Sequence, residues 1–268
     1  MPELPDLEVF RQYFDATGLH QRIQQVEVRE PRLLEEITTD RFRTAVTGHQ
    51  FEETRRHGKY LFGILENETA VIFHFGMTGF LQYYQDPEME PDHVRVLFTF
   101  ESGYNLAYDN MRMLGKVGYT NDPESYIRNQ DLGPDVFNLE YDEFEQLLGK
   151  KRGMLKSAFM DQNTMAGLGN IYTDELLFHA GFHPKMQVTD LTKDQIHLLF
   201  DTMREVLRTA IDEKVNPERF PPGYLLGHRE EGEECPKCGR GRIQKIKVSS
   251  RSTYFCPAHQ GEGMKDEG

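Results

Sequence analysis

Apolar residues recur along this chain with two different spacings, and the change divides it near Leu132. In "VRVLFTF", Val94, Val96, Phe98 and Phe100 fall at every second position, the period of a strand with one buried face. "TAVIFHFG" is as rich in branched and aromatic residues. "ESGYN" supplies turn chemistry ahead of "YNLAYDN", which predicts a hairpin. Several such short runs, up to about Thr120, predict a sandwich or barrel, preceded by a helix from about Pro5 to Thr17.

Beyond Leu132 the period lengthens. In "LTKDQIHLLFDTMREVLRTAI", Thr192 and Gln195 form a capping-box pattern before an apolar run. Ile196, Leu199, Phe200, Met203, Leu207, Ala210 and Ile211 then mark one helical face directed at a core. "KVNPERFPPGYLLGHREEGEE" interrupts with prolines and glycines, and a short cysteine-bearing tail follows. The chain has no internal repeat and no low-complexity tract. The organisation predicted is a β-rich first domain, a helical second domain and a small appended module.

Composition narrows the class. The chain has 268 residues, 38% of them hydrophobic and 28% charged, the profile of a soluble globular protein. No apolar run nears the roughly 18 residues of a membrane helix. The first residues lack the basic head and apolar stretch of a signal peptide, so a cytoplasmic location is expected. A net charge of −13 argues, as a sum, against nucleic acid. Its distribution argues the other way. Between Cys235 and Gln260 lie Lys237, Arg240, Arg242, Lys245, Lys247 and Arg251 with no acidic residue. Smaller basic clusters are Arg55, Arg56 and Lys59, and Lys150, Lys151, Arg152 and Lys156. The expectation is a basic face on an acidic body.

All three cysteines lie in the tail, in "CPKC" and "CPAH". An odd number of thiols in a cytosolic chain disfavours a disulfide set. Cys235, Cys238, Cys256 and His259 have the spacing of one tetrahedral Cys3His zinc site, with His228 as the alternative fourth ligand. The segment between the pairs reads as a hairpin too small for its own core, so one structural Zn2+ would supply its folding energy.

Several motifs then agree in order. "MPELPDLE", "RRHGKYLFG", "HFGMTG", "LGPD", "AGLGNIYTDELLFHAG" and "CPKCG…SSRSTYFCPAHQ" resemble the formamidopyrimidine-DNA glycosylase and endonuclease VIII family, from Pro2 to Gln260. The resemblance implies an α+β multidomain fold. Its parts are an N-terminal β-sandwich with flanking helices over 1–131 and a helix-two-turn-helix domain over 132–229. A C-terminal β-hairpin zinc finger over 230–262 and a tail over 263–268 complete it. It also implies base-excision repair, with double-stranded DNA carrying oxidised bases or abasic sites as partner, no membrane and a monomeric chain.

The residue types suit that chemistry. Cutting DNA at a damaged nucleotide calls for an amine that attacks the sugar C1′ and forms an iminium. An α-amino group titrates at roughly 7.7–8.0, so far more of it is neutral than of a lysine. Pro2 becomes that amine once Met1 is removed, and a secondary amine gives a permanently cationic iminium. The resemblance assigns Pro2 this role. Glu3, beside it, is placed to protonate the sugar ring oxygen or shuttle protons. Lys59 resembles the family's β-strand lysine that contacts the damaged nucleotide's phosphate and sugar.

For DNA contact the resemblance points to Met77, Met111, Arg112, Met113, Lys156, Asn170, Tyr172 and Arg251. Gly167 and Gly169 are expected to let backbone approach a phosphate, and Asn170 to open a helix whose N–H groups favour anions. Met77 matches a methionine that fills the gap left by an extruded base. The chain departs from its relatives at Asp6, where Glu is common, and more sharply at "DNMRMLG". Relatives carry a loop like Asp-Pro-Arg-Arg-Phe-Gly there, so Met111 stands for an arginine and Met113 for an aromatic wedge. A methionine cannot hydrogen-bond an opposite cytosine as arginine does. The activity implied is removal of oxidised bases, 8-oxoguanine and formamidopyrimidines first, with abasic-site lyase activity by β- and δ-elimination. Oxidised pyrimidines, a non-catalytic binder of damaged DNA, and a zinc-dependent RNA-binding protein are the other readings.

Overall fold

Aromatic side chains from two sheets meet to form the core of the first unit. The structure is a computed structural model that describes residues 1–261, so the end of the expected zinc module at 262 and the tail over 263–268 lie outside the described residues. Residues divide by contact into two units, Met1–Pro2 with Asp6–Asp131, and Glu3–Pro5 with Leu132 onward.

The first unit opens with helix α1 (Leu4–Thr17), with Pro5 in its first turn, where a missing N–H costs nothing. Strand β1 (Ile23–Val28), the short β2 (Leu34–Glu35) and helix α2 (Thr39–Val46) follow. Then come β3 (Phe51–His57), β4 (Tyr60–Leu65), β5 (Ala70–His74), β6 (Gly79–Tyr84), β7 (Val94–Phe100), β8 (Asn105–Asn110), β9 (Lys116–Thr120) and helix α3 (Pro123–Asn129). They form a four-stranded sheet, β1-β7-β8-β6, and a five-stranded sheet, β2-β9-β5-β4-β3. Phe73 of β5 meets Phe98 of β7 edge to face at 6.0 Å, and Phe51 of β3 meets the same ring at 5.8 Å. These contacts weld the two sheets.

The expected hairpin is β7–β8. Its alternation differs in one place: a register shift between Val94 and Val96 turns Val94 away from the sandwich. Val96, Phe98 and Phe100 enter the sandwich core, while Val94 joins Leu97, Tyr84 and Ala107. Strand β4 is apolar on both faces because Phe62 and Ile64 are covered by Tyr126 and Ile127 of α3.

The second unit holds helices α4 (Tyr141–Gly149), α5 (Leu155–Met160), α6 (Asn170–Ala180) and α7 (Lys193–Asp212). The capping box of α7 forms: Gln195 N–H donates to Thr192 Oγ1 and Thr192 N–H to Gln195 Oε1, a cap worth about 1 kcal/mol. Of the expected face, Leu199, Phe200, Met203, Leu207, Ala210 and Ile211 are buried and Ile196 packs at the edge, with Val206 added. Two turns join α5 to α6. Asp161 caps them, accepting from Asn163 N–H and Thr164 Oγ1, while Gln162 bridges Met160 and Leu168 carbonyls. The tail forms a hairpin of β10 (Gln244–Val248) and β11 (Arg251–Phe255), followed by helix α8 (Pro257–Gln260). Ser249 and Ser250 make its two-residue turn with positive φ at both. Among the described residues, no helix is long and apolar enough to cross a membrane.

Candidate active site

The N-terminal residues of the first unit place Pro2 half-buried, preceded by an exposed Met1. Lys59 lies not on a strand, as expected, but in the two-residue turn joining β3 and β4, where His57 pairs with Tyr60. The turn takes its positive φ at Gly58, 54°, which leaves Lys59 an ordinary conformation and a largely buried side chain. His74, at the end of β5, stacks obliquely on Tyr60 at 5.0 Å. Burial pushes its pKa below the ordinary value; Glu35 opposes, and Lys59 and Lys116 add to the lowering. Sequence reasoning passed over His74, although it stands inside "HFGMTG" next to the Lys59 hairpin.

Exposed apolar side chains gather on the neighbouring loops. Met77 is 43% exposed, Met111 52% and Met113 39%. The loops are tied together: Arg112 N–H donates to Thr78 Oγ1 at 3.0 Å, and Leu114 N–H to Asn110 Oδ1 at 3.3 Å. Met113 holds a positive φ of 52°. Its sulfur faces the Arg32 guanidinium at 3.5 Å. Three thioethers thus stand in solvent on one braced tip, an apolar cost that a folded chain seldom bears without a surface to meet.

The second unit builds its own cluster around Glu3. The Glu3 carboxylate receives N–H bonds from Gly169 at 2.8 Å, Ile171 at 2.8 Å and Tyr172 at 3.1 Å, so it caps the N-terminus of α6. Leu4 N–H donates to Gly167 C=O at 3.1 Å and fixes the same segment. A Cβ at Gly169 would land on the Glu3 carboxyl carbon. The close approach at Gly169 is thus to Glu3, and the one at Gly167 is to the Leu4 side chain. Asn170 opens α6, and its amide donates to Ser252 C=O at 2.9 Å; its Oδ1 is buried without a partner.

Two residues expected to contact DNA lie buried. Lys156 has no exposed surface, and its ammonium is held by Asp174 Oδ1 at 2.5 Å and Thr253 Oγ1 at 2.6 Å. A lysine so placed has nothing to offer a phosphate. Tyr172 packs in the helical core, and its backbone N–H donates to Glu3. The small basic clusters are also largely spent internally, with Arg55 on Glu53, Arg56 on Glu8 and Lys151 on Asp161. Arg240, Lys245, Lys247 and Arg251 on the tail hairpin stay exposed, so the basic face is the hairpin's.

Cys235, Cys238, Cys256 and His259 bring their ligand atoms within 4.8 Å of one another. The Cys238 and Cys256 sulfurs are 3.8 Å apart, the edge of a tetrahedron with zinc–sulfur bonds of about 2.3 Å. His259 turns Nδ1 to the Cys235 sulfur at 3.6 Å and gives its other ring nitrogen to Phe178 C=O at 3.0 Å. That backbone acceptor fixes the tautomer a ligand needs. His228 is engaged by Glu233 instead, at 2.5 Å. Backbone N–H bonds, Arg240's first, hold the Cys238 thiol down at about 6, and burial pushes Cys256 up to about 12. These donors fit one structural zinc, which would supply folding energy to the hairpin.

Family models match the chain in three consecutive pieces. They are the formamidopyrimidine-DNA glycosylase N-terminal domain over residues 1–117, its H2TH domain over 132–219, and the zinc finger found in FPG and IleRS over 232–258. The formamidopyrimidine-DNA glycosylase of Mycoplasma mobile is 30% identical over 96% of this chain and 97% of its own. That of Laribacter hongkongensis is 32% identical over 97% and 100%. Among solved structures, Lactococcus lactis formamidopyrimidine-DNA glycosylase bound non-covalently to abasic-site DNA superposes with a TM-score of 0.86 at 29% identity, over 97% of this chain and 99% of that one. A MutM complex with DNA containing carbocyclic 8-oxo-G gives 0.87 at 29% identity, with the same coverage. The expected zinc finger, sandwich and helix-two-turn-helix thus have their counterparts, and the chain belongs to the formamidopyrimidine-DNA glycosylase family.

Proposed function

We propose that this protein excises oxidised bases from double-stranded DNA and then cuts the abasic strand, with Pro2 as nucleophile. The observation that carries the reading is the Glu3 clamp: three N–H groups of α6 fix the residue next to Pro2. A terminal amine one residue from such an anchor is held in place, where a free terminus would fray.

After removal of Met1, the Pro2 nitrogen attacks C1′ of the damaged nucleotide and gives up its proton as the base leaves protonated; the C1′–O4′ bond then breaks, O4′ takes a proton as a hydroxyl, and C1′ is left as an iminium on the Pro2 nitrogen. The iminium so formed acidifies the C2′ proton, and β-elimination breaks the C3′–O bond; δ-elimination at the 5′ side follows. Glu3, next to Pro2 in the chain, is the carboxyl that moves protons in these steps. Lys59, Arg112, Asn170 and Arg251 hold the strand, and Met77, Met111 and Met113 fill the stack that the extruded base leaves. Relatives named as formamidopyrimidine-DNA glycosylases, and neighbours solved with abasic-site and 8-oxo-G DNA, support oxidised purines as first substrates. A preference for oxidised pyrimidines is the second reading, favoured by the two methionines of the Met111–Met113 loop.

Borohydride trapping on an abasic-site duplex tests the assignment. The processed protein is expected to cross-link, the Met1-retaining form to fail, and Pro2→Gly to cross-link more slowly. A processed protein that binds the duplex without cross-linking would leave only a damaged-DNA binder.

A further inference from the structure

Behind α6 lies a buried charge cluster that the chemistry above does not use. Asp174, with no exposed surface, is its centre. Its Oδ1 accepts from Lys156 Nζ at 2.5 Å; its Oδ2 accepts from Arg229 Nη2 at 2.8 Å and from Tyr254 N–H at 3.2 Å. Lys156 continues to Thr253 Oγ1 at 2.6 Å, and the Arg229 guanidinium lies over the Tyr254 ring at 4.8 Å. One carboxylate thus joins α5, α6, the segment before the finger and strand β11.

A fully buried lysine and aspartate joined by a largely covered arginine are a costly way to fill space, since removing charges from water is repaid only by good geometry. What the cluster fixes is the register of β11 against α6. Thr253 and Tyr254, its two β11 contacts, sit two and three residues from Arg251 at the exposed start of that strand. Between them Ser252 C=O accepts from the amide of Asn170, the first residue of α6. Near the other end of the turn, Ser157 of α5 and Ser249 share a hydroxyl hydrogen bond of 2.6 Å.

We infer that Asp174 is a positioning residue for DNA binding: it locks the zinc hairpin onto α6 so that Arg251 and Asn170 grip phosphates as one unit. The inference rests on the proposed function only in taking Arg251 and Asn170 as phosphate contacts. Asp174 itself has no exposed surface to offer DNA, and nothing but its place in "IYTDE" marks it in the sequence.

The test is a double-mutant cycle on Asp174→Asn and Arg251→Ala, read as affinity for a duplex carrying an uncleavable abasic analogue across a salt series. Arg251→Ala alone is expected to weaken binding about tenfold, the lower range for a lost hydrogen bond to a charged group. It should also reduce the slope of log affinity against log salt by about 0.9. Asp174→Asn should reproduce both effects with zinc content intact, and Arg251→Ala added to it should then cost little more. Losses should fall on Kd far more than on the cleavage rate at saturating duplex, a split that general destabilisation does not produce. Additive losses, or an Asp174→Asn protein with native affinity and slope, overturn the inference. So does a silent Arg251→Ala. Should Asp174→Asn lose its zinc or fold, Thr253→Val replaces it; the same non-additivity supports the inference and additivity overturns it. Failure of the proposed chemistry shows separately, as absent borohydride cross-linking by a protein that still binds.

Discussion

Glu3 and Gly169 share one space: the Gly169 N–H donates to the Glu3 carboxylate at 2.8 Å where a side chain would otherwise stand. The contact joins residues 166 positions apart in the chain. Gly169→Ala is therefore expected to push the carboxylate off the helix terminus while leaving the exposed side chains proposed to bind DNA in place. A displacement of about 1 Å at a reacting group costs on the order of 10²-fold in rate. Single-turnover cleavage at saturating duplex should fall by about that factor, with Kd changed much less. Cleavage within a few-fold of native would remove the clamp from the mechanism.

The zinc site makes a prediction with two arms. His259 directs Nδ1 at the Cys235 sulfur, whereas His228 is taken by Glu233. His259→Ala should release zinc and weaken DNA binding, because the hairpin's own apolar cluster is small and a bound metal would supply much of its folding energy. His228→Ala should keep its full zinc content. Metal analysis of the two purified variants decides it, and zinc loss from His228→Ala alone would reverse the ligand assignment.

What the sequence disclosed was local in character. The Thr192–Gln195 box, the β7–β8 hairpin and the cysteine spacing each depend on residues close in the chain, and each appears in the structure. What it hid depended on distant partners. Lys156 reads as a surface lysine until Asp174 and Thr253, 18 and 97 positions away, are brought to it. Gly169 reads as a phosphate-binding glycine until Glu3 is seen to fill the place. The Val94 irregularity is a bulge that no alternation count reports, because Leu97 masks it on the opposite face. Function was legible through motif order across the chain, and much less through charge: a net −13 conceals one basic hairpin.

Acid should destabilise the first unit through His74. Burial sets its folded-state pKa below the ordinary value of about 6.5. As pH falls past that value, the unfolded chain takes up the proton first, so stability is lost until the folded form also protonates. Denaturant unfolding of the native protein should lose stability between about pH 6.5 and the lower folded-state value. His74→Gln should flatten that part of the profile. An unchanged slope in the variant would assign the acid sensitivity elsewhere.

The Met111–Met113 loop predicts how the enzyme treats the strand opposite the lesion. Relatives place arginine at the first of these positions, a fork of donors that suits a cytosine edge. Here both methionines project into solvent from a loop pinned by Thr78 and Asn110. A thioether fills irregular space well but donates no hydrogen bond. Excision of 8-oxoguanine should therefore change little when the opposite cytosine is replaced by another base. Met111→Arg should restore discrimination, since a well-placed bidentate contact is worth about 1–3 kcal/mol, or roughly 5- to 150-fold. The loop's backbone bonds come from Arg112 and Leu114 N–H groups, so the substitution leaves its frame intact. Single-turnover rates against the four opposite bases measure both effects, and a strong cytosine preference in the native protein would refute the assignment.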